Sequence, residues 1–206
     1  LRSEPIEFIN VDDLPHGVFP LGHLAFAYLC FIAYAALTRR HLPARWPLLP
    51  LAIGSQLPDV IDKPLAYYGV LSSGRSAGHS IVVAVLLIGL VSWGARKIQR
   101  RDPVHPWIAQ LSAVTPAAFA IGYLSHLVGD SIGPLLAGNH SGLSFLFWPF
   151  LPGPQYSGDS VAPWVRLLEV YLQPHTHPEL PLIAVGVFVF VSLRVWHALG
   201  SQSTGD

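Results

Sequence analysis

Apolar residues fall in long unbroken runs along this chain, not in the alternation of a strand or the half-buried stripe of a soluble helix. Four runs approach the roughly 20 residues, within a range of about 17–25, that cross a bilayer as a helix. They are Pro20–Leu37 (PLGHLAFAYLCFIAYAAL), His79–Ala95 (HSIVVAVLLIGLVSWGA), Trp107–Val128 (WIAQLSAVTPAAFAIGYLSHLV) and Leu180–Leu199 (LPLIAVGVFVFVSLRVWHAL). Arg194 sits near the end of the last run, where it can snorkel. A shorter run, Trp46–Pro58, reaches only about 20 Å as a helix at 1.5 Å per residue. It reads as a buried or re-entrant helix, with PDVID after it as a fresh helical turn beyond a break at the proline. Ser141–Gly153 is also too short to span. Val161–Leu172 reads as an amphipathic helix at the interface, and the Gly/Pro-rich stretch Pro149–Pro163 as a loop.

Composition agrees with lipid as the solvent. The chain is 51% hydrophobic and 12% charged, against about 25% charged in an average soluble domain, and its mean hydropathy is +0.46. The expected fold is all-α, a multi-pass transmembrane bundle of about four to five membrane segments with short re-entrant or interfacial helices. It forms a single domain: residues 1–19 an extracytoplasmic N-terminal segment, 20–199 the bundle, 200–206 a tail. A net charge of zero gives no attraction to nucleic acid, so the expected partners are the bilayer and a lipid or lipid-linked substrate. The start of the chain is acidic and lacks the basic-then-apolar pattern of a signal peptide. Cys30, the single cysteine, lies in an apolar run as a small hydrophobe.

Basic residues cluster after the first run (Arg39, Arg40, Arg45), after His79–Ala95 (Arg96, Lys97, Arg100, Arg101) and near the end of the last (Arg194). If these ends are cytoplasmic, and if the short run crosses, then His23, Asp59, Asp62, His79, His126 and Asp130 all fall on the extracytoplasmic side. Asp59 and Asp62 are spaced i, i+3, and His126 and Asp130 i, i+4, so each pair shares one helix face. Each motif alone has an ordinary reading: a capped turn beside Lys63, an interfacial histidine, a hydrogen-bonded pair. Together, in a chain so poor in charge, they call for a partner, because unpaired ionisable groups in a membrane are costly. A divalent metal meets that need, with zinc the first choice and manganese, iron or magnesium compatible with the same donors. Six candidate ligands exceed one tetrahedral sphere, which leaves room for two ions or for one ion with a carboxylate base. Arg75, four residues before His79, is suited to bind phosphate. His140 is placed at the mouth of the site. His175 and His177, in a proline-rich loop, and His16, His41, His105 and His197 rank as surface or interface residues.

At these residues the chain resembles the YdjM-like family, described as LexA-binding, inner-membrane-associated, metal-dependent hydrolases. The matching pieces are GH at Gly22–His23, GSQLPDVID, GRSAGHS, YLSHLVGD and FLFWPF, in the family's order from about Leu21 to Phe150. The family's third piece more often reads His-Arg-Gly-x-Thr-His-Ser; here Gly74 stands in place of its leading histidine. The resemblance implies a multi-pass helical protein of the inner membrane and metal-dependent hydrolysis.

The expected function is hydrolysis by a His/Asp metal centre at the extracytoplasmic membrane face, on a lipid-linked phosphoester. His23, Asp59, Asp62, His79, His126 and Asp130 are the metal ligands, Asp59, Asp62 and Arg75 the catalytic residues, and Arg75, Ser80 and His140 the substrate contacts. A metal- or proton-coupled transporter is the alternative. It would place its site near the midplane, in helices broken like LAIGSQLPD. A scaffold whose helices are stapled by a coordinatively saturated metal is another.

Overall fold

The structure, a computed structural model, describes residues 20–38, 47–101, 105–172 and 179–202. The N-terminal segment, Arg39, Arg40, Arg45, His16, His41, His175 and His177 lie outside the described residues. All the regular structure in the described chain is helical, and the described residues contain no strand. It runs α1 (Pro20–Leu37), α2 (Leu48–Tyr67), α3 (Ile81–Gln99), α4 (Pro106–Leu136), 3-10 helices at His140–Phe147 and Ser157–Ser160, α5 (Pro163–Leu172) and α6 (Leu180–Gln202).

Three helices, α1, α3 and α4, are long and apolar enough to cross a membrane. The described apolar stretch of α6 is shorter, Leu180–Trp196. Two boundaries differ from the apolar runs for visible reasons. The third helix begins at Ile81, because Ser80 is extended and its Oγ caps the Val82 N–H at 3.1 Å, which leaves His79 outside the helix. The fourth helix continues past Val128 to Leu136, so His126 and Asp130 lie in its interior and not at its end.

The expected break at Pro58 is corrected: α2 is one helix of 20 residues with Pro58 and Pro64 inside it. Pro58 has no N–H for the carbonyl of Gly54. The next carbonyl, that of Ser55, takes a bond from outside the helix: His126 Nδ1 lies 2.7 Å from it. In a membrane, backbone disturbed by proline survives where neighbouring helices satisfy it.

Helix α4 is the centre of the bundle, packed against α1, α2, α3 and the His140–Phe147 helix, while α1 also packs against α2 and α6. Lipid tails are as apolar as leucine, so close packing and polar contacts hold such helices together. The α2–α4 crossing rests on Gly54 and Gly122: a Cβ on either would lie within 3.0 Å of backbone on the other helix. On the α1 side Ala27, Phe31, Leu51 and Ala118 form one apolar cluster; on the α3 side Ala84, Phe119, Tyr123 and Leu127 form a second. Gln56 Nε2 donates to the Pro20 carbonyl at 2.9 Å and ties the start of α1 to α2. The outer face of α3 carries Val85, Leu86, Leu90 and Trp93, all exposed, as expected where acyl chains are the solvent.

Candidate metal centre

The site is assembled by one buried carboxylate. Asp62, fully buried on α2, accepts from the backbone N–H groups of Ser76 (2.6 Å), Gly78 (2.7 Å) and His79 (3.2 Å), and its Oδ2 lies 2.8 Å from His79 Nδ1. It thereby folds the segment from Ser73 to Ser80 over α2. Gly78 is the residue that permits the approach: a Cβ there would meet the Pro58 carbonyl oxygen at 2.8 Å. Tyr123 of α4 holds the same glycine from the other side, its hydroxyl donating to the Gly78 carbonyl.

These contacts decide which ring nitrogens bear hydrogen. His79 Nδ1–H donates to Asp62, and His126 Nδ1–H donates to the Ser55 carbonyl. Each ring therefore presents its Nε2 lone pair to the centre, and the two Nε2 atoms face each other at 3.1 Å. Two carboxylate oxygens join them. Asp130 Oδ2 lies 3.1 Å from His79 Nε2 and 3.6 Å from His126 Nε2; Asp59 Oδ1 lies 3.5 Å and 3.8 Å from the same atoms. One donor atom from each of Asp59, His79, His126 and Asp130 falls within a 4.8 Å group, and all four residues are buried.

Four lone pairs converging in a dry site repel one another unless a cation lies between them. Zinc bonds of about 2.0–2.1 Å in a tetrahedron put ligand atoms about 3.3 Å apart, and the five separations above run from 3.1 to 3.8 Å. Burial alone would lower the His79 pKa, yet the carboxylates of Asp130, Asp59 and Asp62 push it up to about 10. The carboxylates thus favour positive charge on the His79 ring, which a proton or a metal ion at Nε2 would supply. The hydrogen bonds on the far nitrogens, to a carboxylate and to a carbonyl, are those that orient metal-binding imidazoles.

The outward oxygens of the two carboxylates meet cations. Lys63 Nζ lies 2.6 Å from Asp59 Oδ2, and Arg75 Nη2 lies 2.8 Å from Asp130 Oδ1. Arg75 is itself buried; its Nη1 donates to Tyr156 Oη at 3.1 Å, and its guanidinium lies over the Tyr156 and Phe145 rings. His23, in the first turn of α1, stacks on the His126 ring with centroids 3.8 Å apart, and its Nε2 is 3.5 Å from Asp130 Oδ1. Both of its ring nitrogens are buried without a hydrogen-bond partner. That is expensive for a structural histidine and fits one facing an ion.

Of the six ligands expected from the sequence, four form the group, His23 stands at its margin, and Asp62 lies outside it, against His79 and the loop amides. Both Asp62 oxygens are taken up by backbone N–H groups and His79. Among the described residues there is one group of three or more such donors. Ser80, expected to touch substrate, instead caps α3 and donates to the Trp148 carbonyl at 2.6 Å. His140 is exposed at the first position of its 3-10 helix. Reading the sequence missed Tyr156 and Asp159, in a stretch taken only as a loop. The Gly74 N–H donates to Asp159 Oδ2 at 3.0 Å, and a Cβ on residue 74 would collide with Asp159 Oδ1. The aspartate thus occupies the space of a side chain at position 74. Nothing in the local pattern of either segment announces contacts across more than 80 residues.

The sequence profile of the YdjM inner membrane protein family matches residues 19–199. Comparison with curated proteins and with solved structures returns no match.

Proposed function

Since the chain belongs to the YdjM inner membrane protein family, we propose that it is a membrane-embedded, metal-dependent hydrolase acting on a lipid-linked phosphoester. The observation that carries this reading is the convergence of the His79 and His126 Nε2 atoms with one oxygen each of Asp59 and Asp130. These four residues would hold the ion, with Asp62 and the Ser55 carbonyl orienting the rings. When bound, a divalent metal supplies Lewis acidity and lowers the pKa of its water toward about 7. Arg75 contributes positive charge at the edge of the cluster for phosphoryl oxygens. Asp59, which also lines an open groove, would take the proton of the attacking water on the oxygen that it now shares with Lys63. The water oxygen bonds to phosphorus, the ester P–O bond breaks, and the proton taken up by Asp59 passes to the oxygen of the leaving alcohol.

The distribution of charge supports the extracytoplasmic placement. Arg96, Lys97, Arg100 and Arg101 end α3, about 28 Å along the helix from the His79 end at 1.5 Å per residue. Cytoplasmic ends of membrane helices carry such residues, which supports a metal centre on the opposite face.

The test pairs elemental analysis with turnover of a panel of lipid phosphates. His126→Ala and Asp59→Ala are expected to lose both bound metal and turnover; turnover retained in either rejects the mechanism. One observation favours a second reading: four protein ligands can close a tetrahedral sphere, as structural sites do. A wild-type protein that binds metal, loses thermal stability on chelation and hydrolyses none of the panel would be a stapled scaffold.

A further inference from the structure

The chain around the metal centre is almost without charge. Residues 64–80 and 131–165, which form that end of the bundle, contain two charged side chains, Arg75 and Asp159. A water-facing stretch of this length would hold about a dozen at the soluble average of about 25%. Arg75 is buried against Asp130, and Asp159 accepts from the Gly74 N–H. What these segments expose is apolar: Tyr68 and Val70 where α2 ends, Leu136 at the end of α4, Phe150 beyond the His140–Phe147 helix and Trp164 in α5. Helix α5 continues the pattern with Leu168, also exposed, while Arg166 between them is half-buried. The pieces are joined into one surface. Ser80 and Ser73 donate to the Trp148 and Pro154 carbonyls, a Cβ on Gly153 would strike the Arg75 carbonyl, and Tyr67 meets Trp164 edge to face with ring centroids 5.4 Å apart.

Helix lengths give the depth of this surface. The 19 residues of α3 separate the His79 end from the basic end by about 28 Å, close to the roughly 30 Å of a hydrocarbon core. His79 touches Asp130, so Asp130 stands near the boundary of that core. Helix α4 runs on to Leu136, about 9 Å further, and the polar layer of a bilayer adds roughly 5–8 Å on each side. Exposed Leu124, Val128, Ile132 and Leu135, three or four residues apart on α4, form a stripe that passes Asp130 and ends in that layer. A docking face for a protein carries a polar rim, whereas this surface passes into the α4 stripe without one. Tyrosine and tryptophan are also the side chains enriched at head-group level. We infer that the apolar surface made by the end of α2, the loop around Phe150 and α5 is sunk in the head-group layer of the bilayer. The metal centre then lies beneath lipid head groups and not under open water. This holds whatever reaction the centre performs, so it does not rest on the hydrolase reading.

The test uses the full chain in phosphatidylcholine nanodiscs, with Cys30→Ser removing the single native thiol. A nitroxide is attached in turn at Val70→Cys, Phe150→Cys and Leu168→Cys, and at Arg100→Cys as the reference beyond the opposite end of α3. Power-saturation resonance measures its collisions with oxygen, which concentrates in lipid, and with chromium oxalate, which stays in water. The ratio of the two is expected to be at least threefold higher at the three apolar positions than at Arg100→Cys. A smaller difference at two of the three places this surface in water and overturns the inference. Equally rare collisions with both agents at two of the three, as beneath a protein partner or a second copy of the chain, overturn it as well. Agreement between two positions decides the outcome, so one variant that fails to fold does not.

Discussion

Two glycine-bearing helix surfaces in this bundle behave in opposite ways. At the α2–α4 crossing, Gly54 and Gly122 let two backbones meet, and any side chain there would strike main-chain atoms of the opposing helix. On α3, Gly89 and Gly94 have nothing within 4 Å of where a Cβ would stand, and only 11% of the helix's apolar window is buried, against 44% for α4. The first surface bears most of the buried His/Asp group: three of its four residues, Asp59, His126 and Asp130, lie on α2 and α4. The second surface faces lipid. The contrast teaches that in this protein a helix is specified by what it touches, and that hydropathy alone ranks α2, which bears Asp59 and Asp62, below the largely exposed α3.

The contrast is open to direct attack. The largest expected effect is at the crossing. Gly122→Val or Gly54→Val should cost more than about 3 kcal/mol, beyond the usual range for overpacking, because the obstructing atoms are backbone. Loss of folded, monodisperse protein in detergent would register it, and wild-type stability in both variants would break the comparison. Next comes the orienting carboxylate. Asp62→Asn keeps the shape of the side chain but removes an acceptor from His79 Nδ1–H and the loop amides, so metal affinity should fall about 10–100-fold. Calorimetric titration with zinc would measure the loss, and unaltered affinity would return Asp62 to the ordinary role of a buried cap. Smaller again, Ser80→Ala removes both the α3 cap and the bond to the Trp148 carbonyl, and should cost about 1 kcal/mol in thermal or denaturant unfolding. Least of all, Gly89→Ala or Gly94→Ala should leave the fold intact and stabilise α3 by up to about 1 kcal/mol. A destabilisation there would mean that a partner covers this face.

Much of the architecture was legible in the sequence because it depends on composition over many residues. The apolar runs become α1, α3, α4 and α6, with boundaries displaced only where a cap or a continued turn intervenes. The short run was the hard one. Pro58 makes α2 look like a broken helix from sequence, and Asp59, Asp62 and Lys63 end its apolar run, yet the charges are matched: Asp59 by Lys63 one turn on and by the imidazoles, Asp62 by the loop amides. A sequence pattern can count charges but not partners that arrive from another segment.

The membrane character, the all-helical class and the pool of histidines and aspartates that make the site were determined by the sequence itself. Each is a property of residue type and spacing along one helix, fixed by a period of 3.6 and the thickness of a bilayer. Only the tertiary structure decided that Asp62 faces backbone amides while Asp59, three residues earlier, faces the imidazoles. It alone brought Arg75 to Asp130, and placed Asp159 in the space beside Gly74. Those outcomes turn on where single oxygen and nitrogen atoms point, and that direction is set by the fold of the irregular segments 73–80 and 149–162, which have no period to read.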